Sequence, residues 1–160
     1  MSSNAQTWRG YEELARHVLL HFAGMLGISE VEAKQRLMGA AGTEWEIDAK
    51  GILTGGRGFL VVECKERSTE RLNQASIGAL AFTVEAVGAQ GAIIVTSIGL
   101  QEGAEKIAKR HDFKMVFLPK DGTFEDFFAS CGNCLLRGVS DRACNGFALS
   151  SFVIFSTGKK

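Results

Sequence analysis

The chain has 160 residues, which is enough for one compact domain with a hydrophobic core and too few for two generous ones. Its ordinary apolar fraction, single proline and modest charge exclude an intrinsically disordered protein. Eighteen basic and eighteen acidic residues cancel. The zero net charge weakens the case for a nucleic-acid partner without excluding one, because a local basic surface is sufficient for phosphate binding.

The first residues are polar and lack the basic and apolar segments of a signal peptide. No apolar run approaches the length of a membrane span. We therefore expect a cytoplasmic protein that does not bind membranes. In that compartment the four cysteines are expected to be thiols or metal ligands rather than disulfides.

The chain begins with a pattern typical of helices. Apolar residues recur at intervals of four over residues 11–26, which predicts an amphipathic helix that ends at Gly27. Ser29 and Glu32 then have the spacing of a capping box. This predicts a second, short helix from Ser29 to about Met38.

Two extended segments follow. Residues 43–53 are expected to be extended, because Trp45 and Ile47 alternate with Glu44, Glu46 and Asp48 as in a half-buried strand, and residues 59–65 are expected to form a second strand. The glycine-rich segment 54–58 between them favours a turn. The two strands are expected to form a hairpin, although the sequence does not determine its register.

Helices and strands alternate in the next part of the chain. Ser68 can cap the first of these helices. The predicted elements are helix 69–87, strand 92–96, helix 101–110 and strand 113–118. This alternation implies parallel crossovers and an α/β fold, with a mixed sheet flanked by helices on both faces.

The character of the chain changes after residue 120. We divide it into a domain over residues 1–120 and a C-terminal extension over 121–160, whose role the sequence does not reveal. Cys131 and Cys134 have half of a zinc-knuckle spacing, and Cys144 could be a third ligand. No fourth ligand is evident, so free thiols are favoured over structural zinc.

The most informative motif closes the 59–65 strand. Glu63 and Lys65 are two residues apart and must project from the same face, whereas Cys64 points into the packing. Asp48 lies fifteen residues upstream on the other strand of the hairpin. Two carboxylates suit Mg²⁺, which keeps several bound waters and can complete its coordination shell with a substrate phosphate. Lys65 could then orient a metal-activated water for attack. The simpler alternative is a Glu63–Lys65 ion pair at a solvated strand end.

This arrangement resembles the PD-(D/E)xK nuclease superfamily, and within it the Mrr-like restriction endonuclease group. The resemblance spans about residues 11–118 and is carried by Tyr11-Glu12, Ile47-Asp48, Val62-Glu63-Cys64-Lys65 and the strand Ala92-Ile93-Ile94-Val95-Thr96-Ser97. It implies a restriction-endonuclease-like fold, a metal held by Asp48, Glu63 and the backbone carbonyl of Cys64, and a catalytic role for Lys65.

The resemblance also implies two further site residues. A glutamate of the first helix often joins the metal site in this family, and Glu12 fits that pattern, although helix dipoles alone favour such a residue. Many relatives carry a glutamine at the start of the helix after Glu-x-Lys, where this chain has Gln74. Ile47 departs from the pattern because it occupies the proline position of the motif.

The sequence therefore predicts a DNA endonuclease that depends on Mg²⁺, or on Mn²⁺ as a substitute, and acts in restriction, defence or repair. Because cutting both strands usually takes two active sites, we expect a homodimer. A junction-resolving nuclease would share the same site. The alternative of a different class is a non-catalytic nucleic-acid or protein-binding domain that keeps the nuclease fold. The target sequence, methylation dependence and strand preference are not encoded in any visible motif.

Overall fold

A computed structural model describes residues 3–66, 69–118 and 152–153 of the chain. The helices are α1 (Ser3–His21), α2 (Ala23–Leu26), α3 (Gln74–Val87) and α4 (Glu102–Arg110). The strands are β1 (Ile28–Glu32), β2 (Gln35–Met38), β3 (Glu44–Ile47), β4 (Ala49–Leu53), β5 (Phe59–Lys65), β6 (Gly91–Thr96), β7 (Lys114–Phe117) and β8 (Phe152–Val153). Within these residues, no helix combines the length and the apolar character needed to cross a membrane.

The central sheet is mixed. Its strand order is β1-β4-β5-β6-β7-β8, with antiparallel pairing from β1 to β5 and parallel pairing from β5 to β8. Helices α1 and α2 pack on one face, and α3 and α4 pack on the other. The predicted α/β fold with a mixed sheet and helices on both faces is thus confirmed.

The centre of the sheet is the most buried part of the described fold. Every residue of β6 is buried, as expected for a parallel strand that is covered on both faces. Alternate residues of β6 enter different cores: Ile93 packs towards α1, and Ile94 packs towards α3 and α4. This rigid centre carries β5, the strand that ends in Glu63-Cys64-Lys65.

The short helix predicted over Ser29–Met38 is wrong, because this segment forms β1 and β2. Ile28 and Val31 are both buried although they are three residues apart, a spacing that resembles a helix. The register of β1 against β4 shifts between Ile28 and Glu30. Such a β-bulge adds one residue, so both apolar side chains reach the same face of the sheet.

The extended segment predicted over residues 43–53 forms two strands instead of one. It divides at Asp48: β3 pairs with β2 in a separate two-stranded sheet, and β4 joins the central sheet. The predicted hairpin of β4 and β5 is confirmed, and its register places Ala49 opposite Val62. Asp48 therefore links the two sheets.

The helix predicted from Thr69 starts later, at Gln74. The side chain of Asn73 accepts a hydrogen bond from the Ser76 amide at 3.0 Å, and this cap replaces the one predicted for Ser68, which lies outside the described residues. Gly88 ends the helix in the left-handed conformation, close to the predicted end at residue 87. The cysteines of the extension, Cys131, Cys134 and Cys144, also lie outside the described residues.

Removing the side chain of Ile94 tests whether β6 is the centre of the fold. Ile94 is fully buried, so Ile94→Ala is expected to lower the free energy of unfolding by about 2–5 kcal/mol through lost burial and a new cavity. Leu20→Ala removes a side chain that is 42% exposed, so it should change the free energy of unfolding by less than about 0.5 kcal/mol. Urea unfolding measures both variants. Equal losses would mean that β6 is not the central strand.

Candidate functional site

The candidate site lies where β4 and β5 separate. Because Ala49 is paired with Val62, the preceding residue, Asp48, comes next to the Glu63-Cys64 end of β5. The backbone amide of Cys64 donates a hydrogen bond of 2.8 Å to Oδ2 of Asp48. This side-chain contact takes the place of a backbone partner from β4, which starts only at Ala49, and it holds Asp48 at the strand end.

Glu63 and Lys65 share one face of β5, as the alternation of the strand predicts. Lys65 Nζ lies 2.6 Å from Glu63 Oε1. Their side chains are 26% exposed for Glu63 and 34% exposed for Lys65. The two groups thus form the ion pair of the simpler alternative, but in a largely buried position rather than at a solvated strand end.

Cys64 contributes through its backbone. Its side chain is buried in the core next to α1, as predicted, and burial raises the pKa of its thiol. In a strand, the amide and carbonyl of one residue face the same edge. The Cys64 amide faces Asp48, whereas the Lys65 carbonyl accepts a hydrogen bond of 3.4 Å from Ser97 on the β6 side. The Cys64 carbonyl is therefore directed to the Asp48 edge, where a metal ligand would be needed.

Glu12 reaches the same place from α1. Its neighbour Tyr11 is buried and donates a hydrogen bond of 3.0 Å to the Leu118 carbonyl just beyond β7, which anchors the helix to the sheet. Glu12 lies in a cleft that Asp48 also lines. Glu12 Oε1 is buried and has no hydrogen-bond partner among the described residues.

The carboxylates perturb one another electrostatically. Burial raises the pKa of Glu12, and the charge of Asp48 and a hydrogen bond between the two carboxyl groups raise it further. Burial also raises the pKa of Glu63; the hydrogen bond from Lys65 opposes this shift and the charge of Asp48 adds to it. Three acids are thus concentrated where solvent is partly excluded, an arrangement that a cation would stabilise.

Lys34 is a site residue that sequence reasoning missed. It follows β1, lines the cleft, and lies close enough to the acids that its charge lowers the pKa values of Glu12 and Glu63. Its Nζ is 3.0 Å from Oε1 of Glu46, and the Glu46 side chain is half-exposed. The incorrect helix prediction for residues 29–38 concealed Lys34, because it assigned this lysine to a helix. Glu46 is held by Lys34 and Arg36 and stays half-exposed, as is typical of a solvated acid rather than a metal ligand.

Other predicted residues lie away from the acids. Gln74 is the first residue of α3, but its side chain lies against Gly103 of α4, where an added Cβ would overlap it. No hydrogen bond joins Gln74 to Asp48, Glu63 or Lys65 in the described part of the chain. The basic residue Arg57, which is close to Lys65 in sequence, lies in the turn before β5, at the end of the strand opposite Lys65, and a strand of seven residues spans about 20 Å.

The donor set fits a hard divalent cation. Among the described residues, no three side chains of His, Cys, Asp or Glu form a ready-made metal cage. Magnesium, however, is commonly held by only one or two carboxylates, with waters and substrate phosphate completing its shell. Asp48 and the unpartnered Oε1 of Glu12 supply oxygen ligands of this kind, and Glu63 and the Cys64 carbonyl lie beside them.

Comparisons with known proteins support the fold alone. No family model matches the chain, and no curated protein matches it either. The crystal structure of a protein of unknown function, AF1548, is similar, with a TM-score of 0.57 and 20% sequence identity over 76% of this chain and 67% of that one. At this identity the likeness carries no information on activity.

The pKa shifts predict opposite pH dependences for two glutamates. The pKa of Glu63 is raised above the ordinary 4.5, so the folded state loses stability as pH rises from 4.5 through the raised value. The Glu63→Gln variant cannot titrate at this position, so its free energy of unfolding should rise relative to that of wild type over this pH range. The pKa of Glu46 is lowered, mainly by its hydrogen bond with Lys34. The free energy of unfolding of wild type should therefore rise relative to that of Glu46→Gln as pH rises towards 4.5.

Urea unfolding between pH 3 and 7 measures both differences. Each is taken against wild type at the same pH, so that titrations elsewhere in the molecule cancel. Differences that change with pH in the same direction for the two variants would contradict the electrostatic description of the site.

Proposed function

We propose that the protein is a Mg²⁺-dependent DNA endonuclease that hydrolyses phosphodiester bonds. The observation that carries this proposal is the convergence of four charged residues from three separate elements. Glu12 comes from α1, Asp48 from the link between β3 and β4, and Glu63 and Lys65 from β5. Their positions support the roles that the resemblance to PD-(D/E)xK nucleases implies.

The acids and the lysine have distinct tasks in this proposal. Asp48, Glu63, Glu12 and the Cys64 carbonyl would hold the cation, which would supply a bound water of lowered pKa and positive charge to offset the charge that develops on the phosphate. Lys65, held at the site by Glu63, orients the attacking water and stabilises the negative charge of the transition state. Asp48 keeps its place through the Cys64 amide, so its carboxylate is positioned before substrate binds.

The substrate class follows from the charges around the site. The net charge of the chain is zero, but Lys34, Lys65 and Arg16 lie at or beside the acids and supply the local basic surface that DNA requires. A homodimer would bring two such sites to one duplex and cut both strands. Restriction of foreign DNA, defence and repair are the roles that fit this activity.

The second candidate is a non-catalytic binding domain with the same fold. The direct contact of Lys65 with Glu63 favours it, because the two groups already satisfy one another. The partnerless Oε1 of Glu12 argues against it, since a buried carboxylate oxygen without a partner is costly and a bound cation would compensate for it. Metal dependence separates the two candidates.

Cleavage of supercoiled plasmid in Mg²⁺ or Mn²⁺ tests the nuclease directly. Lys65→Ala and Asp48→Asn should each reduce the cleavage rate by about 10²–10⁴-fold, because each removes a group that stabilises the transition state or holds the cation. Lys106→Ala is the matched control: it removes an exposed lysine of α4 whose partner is Glu102. If all three variants cleave at the wild-type rate, the assigned site is wrong.

DNA binding with and without metal tests the binding-domain alternative. Fluorescence anisotropy of a labelled duplex should show tighter binding in Ca²⁺ than in chelator, because a cation screens the acids from the phosphates. Glu12→Gln should weaken this metal dependence. Wild-type binding that is equally tight in chelator would favour the non-catalytic domain.

A further inference from the structure

The cleft next to the acids has features that metal binding does not explain. It has a volume of about 210 Å³ and is lined by Glu12, Glu13, Arg16, Ala33, Lys34 and Asp48. This is below the roughly 300–1,000 Å³ of pockets for drug-sized ligands. The volume suits a single small group rather than a base or a complete nucleotide. Two cationic side chains, Arg16 and Lys34, face the same space as Glu12 and Asp48.

Arg16 is held in place without being fully satisfied. Its Nη2 donates a hydrogen bond of 3.2 Å to the Val31 carbonyl in β1, which fixes the side chain against the sheet. Its Nε is buried and has no hydrogen-bond partner among the described residues. A buried donor of a charged group without an acceptor is costly, so an anion in the cleft would be stabilising.

Glu12 and Arg16 could satisfy one another but do not. They are four residues apart on α1, with the acid nearer the N-terminus, which is the favourable order for an ion pair on a helix. No ion pair joins them in the described part of the chain, and Glu12 Oε1 and Arg16 Nε both stay unpartnered. The two residues that carry an unsatisfied acceptor and an unsatisfied donor thus line one cleft, as expected if its ligand brings a cation and an anionic oxygen together.

Lys34 lines the same cleft as Arg16 and brings a second positive charge to it. Its ammonium contacts Glu46 at 3.0 Å, but the two side chains are 36% and 51% exposed, and surface ion pairs of this kind contribute little to stability. The Glu46 contact alone therefore does not prevent Lys34 from approaching a phosphate in the cleft. Glu13 is exposed on the rim of the same cleft and would oppose an anion.

We propose that Arg16 and Lys34 form an anion subsite that binds the DNA backbone phosphate adjacent to the one cleaved at Asp48 and Glu63. The assignment of this phosphate to DNA rests on the proposed nuclease function. The subsite orients the strand across the acids, so Arg16 and Lys34 are positioning residues rather than catalytic ones. Their loss weakens substrate binding more than the chemical step.

The subsite can be tested without any nuclease activity. In ¹H–¹⁵N spectra, the Arg16 Nε–Hε signal, assigned by its absence in Arg16→Lys, should shift and saturate on titration with inorganic phosphate at constant ionic strength. Lys34→Gln should weaken this binding several-fold, whereas Lys106→Gln should not. The Arg110 signal serves as the control from exposed α4. An Arg16 signal that does not move, or moves only as Arg110 does, overturns the subsite.

DNA measurements then decide whether the phosphate belongs to the nuclease substrate. In Ca²⁺, Arg16→Lys and Lys34→Gln should weaken duplex binding, and Lys34→Gln should reduce the slope of log K against log salt by about 0.9, the loss of one phosphate contact. Glu13→Gln should tighten binding. In Mg²⁺, Arg16→Lys and Lys34→Gln should each raise KM more than they lower kcat, whereas Lys65→Ala should mainly lower kcat. Thermal melting of each variant checks that it is folded.

The possible failures are distinguishable. A wild-type protein that cleaves DNA, with Arg16→Lys and Lys34→Gln behaving like Arg110→Gln and Lys106→Gln, overturns the subsite and leaves the nuclease standing. A wild-type protein that neither cleaves nor binds DNA, but whose Arg16 signal shifts with phosphate, overturns the nuclease and the assignment of the phosphate to DNA. Loss of both responses overturns both proposals.

Discussion

The hydrogen bond from the Cys64 amide to Asp48 is the interaction on which the site depends. Beyond Val62, β5 continues after its antiparallel neighbour has ended, so its next outward-facing amide needs an acceptor. A carboxylate meets that need and is at the same time fixed beside Glu63. One contact thus completes the strand edge, positions an acid and marks where the chain passes from the β2–β3 sheet to the main sheet.

This solution concentrates negative charge in a poorly solvated place. Burial raises the pKa values of Glu12 and Glu63, and each is raised further by Asp48. Two lysines, Lys34 and Lys65, offset part of this cost. Acids whose pKa values are raised in this way mark candidate functional sites, because a structure selected for stability alone would separate or pair them.

The sequence revealed the centre of the molecule better than its edges. Strand β5 and the buried run of β6 are recognisable from short-range patterns, and Glu63 and Lys65 had to share a face once β5 was assigned. The β-bulge near Ser29 is a tertiary effect, since only pairing with β4 makes a helix-like spacing compatible with a strand. That error hid Lys34. The position of Gln74 depends on how α3 and α4 pack, which no local pattern encodes.

The separate β2–β3 sheet makes Asp48 a hinge between two units of different stability. The small sheet is attached to α3 by the contact of Trp45 with Phe82, 5.6 Å between ring centroids, and by the Ala40 amide, which donates to the Ala86 carbonyl. A two-stranded sheet gains little stability from its own pairing, so this unit depends on these contacts and on Ile47, which is buried in the core with α3 and α4, and it should open locally at a lower free energy than β5 and β6. Unpairing of β2 from β3 would separate Lys34 from Glu46, whereas the hydrogen bond of Asp48 to the Cys64 amide does not depend on that pairing. The pKa values of Glu12 and Glu63, which the charge of Lys34 lowers, are therefore coupled to local opening of the β2–β3 hairpin.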